Sequence, residues 1–237
     1  MDYTAFALKK FEEIIASIPA NNCALQVAPN ARVVDAGIAE PGGWTSIQAL
    51  LEGLIGGRGI VHFGRQFYGG HQLPTVEMLL DAPVAACRAA FSQKGGMIGV
   101  TNGEEYALGV KICDKRSDVR EAGNIVAASE TSLLAAALGA ARAVPDAVHT
   151  LLESGVAEED ILWGWSSAPV ALLCNDPAVM RERMADAKSK RIISLWVRGD
   201  DALLKRIVEE HHCCELRLHS LASAKTFVKP RVSMHLS

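Results

Sequence analysis

The parts of this chain best equipped for chemistry are its glycine-rich turns and one run of metal-ligand side chains. Pro41-Gly42-Gly43 stands just before a helical pattern. Backbone N–H groups at a helix start are unpaired and the dipole is positive there, so such a turn can cradle an anion. Equally, it can be a tight turn with a good helix entry, because neither a P-loop Gly-Lys-Ser/Thr nor a G-x-G-x-x-G pattern accompanies it. Gly56-Gly57-Arg58-Gly59 reads as a helix stop, and Asp35 and Asp81, each beside a turn, read as Asx-turn formers. The run His211-His212-Cys213-Cys214, with His219 nearby, offers metal-ligand types. Consecutive residues on a helix point in different directions, however, and cannot converge on one ion without unwinding. A frayed helix end is the competing reading. Arg142 reads as a helix-surface arginine with Asp146 or Glu130 within reach, and Asp146 as part of a solvated face.

These groups sit on alternating helices and short strands. Apolar residues at Phe6, Ala7, Phe11, Ile14, Ile15 and Ile18 predict an amphipathic helix over 3–18. Short strands are expected at 24–27 and 32–35, and a helix from Gly43 to about Ile55, ended by the double glycine. Strands at 59–63 and 75–80 flank a glycine-rich, aromatic loop at 64–71, and 83–91 returns to helix. Strands at 97–100 and 106–113 are joined by Asn102-Gly103, a hairpin signal. After the charged segment 114–123 come a strand at 124–128 and an alanine-rich helix from Ser132. Pro145 either kinks that helix or starts a second one through Glu153. Strands at 161–165 and 170–174 precede Asp176-Pro177, an N-cap with proline at the first helical position. A helix to about Lys190, a strand over 191–197, a helix over 201–210 and a closing segment over 216–228 complete the chain. The long βαβ regularity of a dinucleotide-binding sheet is missing.

Composition sets the outer limits. At 237 residues the chain can bury a proper core as one large domain or two small lobes, and nearly half of it is apolar. A net charge of −3 without single-sign tracts leaves no basic stripe for nucleic acid. Apolar stretches are interrupted well before the roughly 20 residues that a membrane span requires. Met1-Asp2-Tyr3-Thr4 is unlike a secretory leader, so a cytoplasmic location is expected. Of the six cysteines, Cys23, Cys87, Cys113 and Cys174 lie among apolar neighbours and read as small hydrophobes in a reducing compartment.

A further signal lies in the order of the motifs. Ala31-Arg32-Val33-Val34-Asp35-Ala36-Gly37, Pro41-Gly42-Gly43-Trp44, Gly56-Gly57-Arg58-Gly59-Ile60-Val61, Leu73-Pro74-Thr75-Val76 and Asp81-Ala82-Pro83-Val84-Ala85-Ala86-Cys87 follow one another in an order that packing does not require. Together they resemble the N-terminal half of the methenyltetrahydromethanopterin cyclohydrolases. Ser132 to Arg142 resembles that family's segment from a threonine/serine motif to a functional arginine. Ser166-Ser167-Ala168-Pro169-Val170-Ala171 is similar to its G-T-A-P-I-A block, Arg183 with Asp186-Ala187 to its R-x-N-D-A/C helix, and Gly199-Asp200-Asp201 to a G-D-D turn.

The departures are as specific as the matches. The glutamate that follows the family's arginine by three residues is Pro145 here. The glycine turn of the F-A-M-G-S-G-P-A-R loop is replaced after Gly109 by Val110-Lys111-Ile112. Ala82, Ala90, Phe91 and Ala185 stand where the family has histidine, serine, glutamine and asparagine, and an αβ segment is missing between Cys113 and Asn124.

The resemblance implies an α+β fold, with two α/β lobes around a cleft, in a trimmed form of the cyclohydrolase fold. The lobes are placed at 1–128 and 129–237. It implies one-carbon metabolism on tetrahydromethanopterin, the family reaction being hydrolysis of 5,10-methenyl- to 5-formyl-tetrahydromethanopterin. The alternative is a paralogue without that activity, which binds the pterin, serves its biosynthesis, or acts as a structural partner. Arg142 with Asp146 are the catalytic candidates. Gly42, Gly43, Ser132, Ser167, Ala168, Pro169 and Asp186 are the candidates for binding substrate. No metal and no cofactor are expected beyond the pterin itself as substrate or ligand. The expected partners are a pterin-type small molecule and further copies of the chain, a trimer in the family, with no nucleic acid and no membrane.

Overall fold

A computed structural model describes residues 2–19, 23–25, 30–39, 43–68, 70–90 and 97–228, with the backbone alone at 23–25, 89 and 90. Asp2 caps α1 (Tyr3–Ser17), its carboxylate accepting from the amides of Thr4 and Ala5 at 3.0 and 3.2 Å. Ala7, Phe11 and Ile14 form the buried stripe of this helix. β1 (Cys23–Leu25) and β2 (Ala31–Asp35) lead to α2 (Trp44–Leu54). That helix stops where Gly56 and Gly57 adopt φ of +60° and +70°, values that a side chain resists.

β3 (Gly59–Tyr68) and β4 (His71–Leu80) form one long hairpin, paired without a break from Gly59 opposite Leu80 to Tyr68 opposite His71. The loop expected at 64–71 is therefore mostly strand. Its aromatic and long side chains alternate across the pleat, and at the turn Gly70 adopts φ +81°.

α3 (Pro83–Ala90) precedes β5 (Met97–Asn102) and β6 (Glu105–Ile112), whose tight turn holds Gly103 at φ +67°. β7 (Gly123–Ala128) follows, then α4 (Leu133–Ala141) and α5 (Ala143–Glu153). Pro145 thus sits in the first turn of a second helix, where its missing N–H removes no helical bond.

The chain closes with β8 (Ile161–Pro169), α6 (Pro177–Ser189), β9 (Ile192–Val197), α7 (Asp201–Glu210), β10 (Glu215–Ser220) and β11 (Lys225–Val228). Residues 170–174, expected as a strand, are not one. Only Val170 continues the pairing, through the carbonyl of Pro74, and the carbonyls of Leu172 and Leu173 accept from Arg183 at 3.1 and 2.7 Å instead.

The fold is α+β with two mixed sheets. Five strands run in the order β1-β2-β7-β6-β5, and six in the order β11-β10-β9-β8-β4-β3. Helices lie between the sheets: α1 packs on β5 and β6, α2 on β3, α4 on β4, and α5 on β8 and β9. One cluster of buried apolar residues joins Phe11, Leu50, Met78, Leu108, Val144 and Leu195 across this layer. Residue 128 ends β7, and the six-stranded sheet draws on chain from both sides of that point, β4 pairing with β8.

Gly123 opens the central strand of the five-stranded sheet at φ +106°, and a Cβ there would lie 2.2 Å from the carbonyl oxygen of Tyr106. Gly123→Ala is expected to cost more than about 2 kcal/mol of folding free energy in urea unfolding. A loss below about 0.5 kcal/mol would mean that the strand end shifts freely.

Candidate functional site

The turn after β2 and the start of α4 come together. Asp35, at the end of β2, is buried and accepts from the amides of Gly37, Ile38 and Ala39 at 3.0, 2.7 and 3.1 Å, with Arg116 Nε 3.4 Å away. This is the Asx-type turn expected of that residue. Its return brings Gly37 against α4, where an added Cβ would meet Ser132 Cβ at 2.6 Å. The Gly37 carbonyl also accepts from the amide of Ser129 at 3.2 Å. Gly43 is the N-cap of α2 and has open space around it, while Gly42 lies outside the described residues. Ser132 is the N-cap of α4: its hydroxyl accepts from the amide of Ala135 at 3.1 Å and donates to the carbonyl of Ser129 at 2.7 Å.

A second constellation surrounds Asp146. Arg142 caps the break between α4 and α5, and its Nε lies 3.5 Å from Asp146 Oδ1. Oδ2 of the same carboxylate is 2.9 Å from Arg191 Nη1 and 3.5 Å from Lys188 Nζ. Arg191 is buried and donates its other arm to the carbonyl of Gly139 in α4. Three cations therefore converge on one carboxylate. The sequence reading found Arg142 and Asp146 but not Lys188 and Arg191, although the run Lys188-Ser189-Lys190-Arg191 at a helix end carries the basic bias expected there.

Beside this cluster a cavity of about 190 Å³ opens between α4 and α6. Ala136, Gly139, Ala140 and Pro169 wall it, with Lys188 and Arg191 as its cations. A neighbouring cavity of about 110 Å³ is bounded by Tyr68, His71, Arg183 and Asp186. Asp186 itself is exposed and paired to Lys190 at 2.5 Å.

The remaining candidates lie on β8, where successive side chains point to opposite faces. Ser167 is buried and accepts from Gln66 Nε2 at 2.5 Å, whereas Ala168 faces the helix layer. Arg142 and Asp146 thus come together and Pro169 borders the adjacent cavity, but Ser167 and Ala168 do not share a face.

The sequence model of a family described as Cyclohydrolase (MCH) matches residues 4–110. A methenyltetrahydromethanopterin cyclohydrolase of Methanosphaerula palustris is 33% identical over 104 residues, which make up 44% of this chain and 32% of that relative. Residues 4–110 of the chain are therefore similar to the cyclohydrolase family. The aligned part spans about a third of the relative's length. The cyclohydrolase match contains the Asp35 turn, Gly43 and the β3–β4 hairpin. Ser132, Arg142, Asp146, the Ser167–Pro169 block and Asp186 follow it in the chain.

The run at 211–214 holds no metal-ligand group of three or more among the described residues. Instead His211 Nε2 lies 3.3 Å from Cys214 Sγ. Burial pushes the Cys214 thiol up to about 11, against the pull of Arg191, and burial with the charge of Asp146 pushes Cys87 up to about 12.

Two measurements follow from this geometry. Arg191→Met leaves a carboxylate without its buried partner and is expected to cost about 3 kcal/mol in urea unfolding. Lys188→Met, at a half-exposed contact, should change stability by under about 1 kcal/mol. In timed iodoacetamide labelling at pH 8, exposed Cys213 should react first. Cys87, with about one part in ten thousand as thiolate, should stay unlabelled until the chain unfolds. Early labelling of Cys87 would mean that α3 opens.

Proposed function

We propose that this chain is a pterin-binding member of the cyclohydrolase family that serves tetrahydromethanopterin-linked one-carbon metabolism without hydrolysing the methenyl form. Binding is supported by the family match over residues 4–110, which includes the Asp35 turn and the start of α2. Loss of hydrolysis is supported by one observation above the rest: the carboxylate nearest Pro145 already has both oxygens in ion pairs, with Arg142, Lys188 and Arg191.

The chemistry explains why that matters. The methenyl group is a cyclic amidinium, an N–CH–N carbon that water attacks as a base removes its proton. A C–N bond of the ring then breaks to leave the formyl group. A positioned general base contributes roughly 10² to 10⁴ in rate. Pro145 has no proton to exchange. Asp146 is about 100° further round α5 and is turned toward the start of β9, where Arg191 fixes it. Arg142 remains able to orient or stabilise an oxygen ligand, which suits recognition without turnover.

Purified protein titrated with methenyltetrahydromethanopterin is expected to bind it and to leave its absorbance unchanged over hours. Pro145→Glu should then raise hydrolysis by about 10²-fold or more over the parent chain. Turnover by the parent chain that Arg142→Ala abolishes would overturn the loss of hydrolysis, and absence of binding would overturn the pterin assignment.

A further inference from the structure

The cluster around Asp146 carries more positive charge than its partners cancel. Arg142, Lys188 and Arg191 bring three positive charges to this one carboxylate, and among the described residues they pair with no other. Two helix ends add to the negative side. α4 stops at Ala141 and α6 at Ser189, and the last carbonyls of a helix amount to about half a negative charge. Arg191 answers one of these ends by donating to the carbonyl of Gly139. Three charges of one sign therefore face about two of the other, which leaves roughly one positive charge uncompensated. The chain as a whole is acidic, at net −3, so this excess is local.

The three cations are not held alike. The Arg191 side chain is 7% exposed and bonded on both arms, to Asp146 and to the Gly139 carbonyl, so it acts as fixed charge in a place that water screens little. Lys188 is 49% exposed, and its Nζ stands 3.5 Å from Asp146, beyond the reach of a direct charge-assisted hydrogen bond. An ammonium on a flexible four-carbon stem turns easily toward a second anion. Lys188 is the arm free to do so, and Arg191 is the charge behind it.

The space beside them has a definite size and lining. The cavity of about 190 Å³ between α4 and α6 is walled by Lys188 and Arg191 but by no carboxylate among the described residues. Ala136, Ala140 and Met184 make the rest of the wall apolar, and exposed Ala185 stands at its edge on α6. An apolar cavity of about 150 Å³ holds a benzene molecule, so this one has room for a ring of that size with one charged group. It lies below the roughly 300–1,000 Å³ of pockets that enclose larger ligands, and a bicyclic pterin with its arylamine exceeds it. Each part of the wall selects against a simpler occupant. A cation is repelled, a neutral apolar molecule leaves two charges without a partner, and a bare inorganic anion leaves the alanine wall wet.

We propose that the cavity between α4 and α6 binds a small organic carboxylate. Lys188 holds its charged end over Arg191, and its apolar body lies against Ala136, Ala140 and Met184. This ligand is separate from the pterin, and neither assignment depends on the other. A molecule of about ten non-hydrogen atoms reaches a dissociation constant in roughly the millimolar range.

Benzoate and benzamide, equal in size and different in charge, are the probes. Each is titrated at fixed ionic strength, with no pterin present, into the full chain isotope-labelled at its methionine methyls. The Met184 methyl resonance, assigned through Met184→Leu, reports a ring placed in the cavity. Benzoate is expected to shift it saturably and to bind about tenfold more tightly than benzamide. Lys188→Met and Ala185→Glu, both at exposed positions, should each raise the benzoate dissociation constant about fivefold or more, whereas Lys188→Arg should keep it within about threefold. Equal binding of the two probes, benzoate binding that leaves the Met184 methyl unmoved, or binding that neither Lys188→Met nor Ala185→Glu weakens would each overturn the proposal.

Discussion

Two sheets close on one shared layer of helices, and α4 must fit into the gap they leave. That requirement governs its composition. Leu134 to Leu138, Ala140 and Ala141 are all buried, and the helix packs against α2, α5 and α6 as well as β4 and β8. Close packing on so many sides favours small side chains between Leu134 and Leu138 and beyond, because interiors have the density of organic crystals and punish a single extra methylene. At Gly139 an added Cβ would meet the Met184 methyl at 2.9 Å. The alanine run is the space left between the sheets, written in sequence.

The polar centre of the molecule follows from where that helix has to stop. At Arg142 the chain leaves α4 and starts α5, and the first turn of α5 can take Pro145 without losing a hydrogen bond. The same turn carries Asp146 to the mouth of β9, where buried Arg191 ties it and the Gly139 carbonyl together. One guanidinium thus fastens α4, α5 and the start of β9 at a single point. A carboxylate used in this way holds the fold together. A carboxylate that has to accept a proton from water needs an oxygen without a standing partner, and structural and catalytic use therefore compete for the same atoms.

The elements with strong local signals were legible in the sequence. Asp176 as a cap, the glycine stop at Gly56-Gly57, the Asn102-Gly103 turn and the Asx turn at Asp35 each depend on groups a few residues apart. The segment at 64–71 was not, because glycines and aromatics there suggest a loop until the hairpin partner is known, and that partner is fixed only by pairing over ten residues. Residues 170–174 failed for the opposite reason. They have strand-like composition, but Arg183, from a helix further along, takes two of their carbonyls. The candidate site divides in the same way. Arg142 and Asp146 lie four residues apart on neighbouring turns and could be paired by eye, whereas Arg191 reaches Asp146 across 45 positions of chain. No spacing rule covers such a contact.

β8 shows how the two sides of the molecule constrain each other. Its alternation sends Ser166 and Ala168 into the helix layer and Trp163, Trp165 and Ser167 outward. The block Ser166-Ser167-Ala168-Pro169 therefore cannot offer a continuous surface to one ligand, and a small molecule held near α4 would meet alternate residues of it. Ser166 is the polar member on that side. Its hydroxyl is buried and finds no hydrogen-bond partner among the described residues, as is also true of Thr75. Such a group costs about 1–3 kcal/mol in an apolar interior. Alanine would fill the same space without that cost, so the serine is the one polar atom on the inner face of β8 that packing alone does not account for.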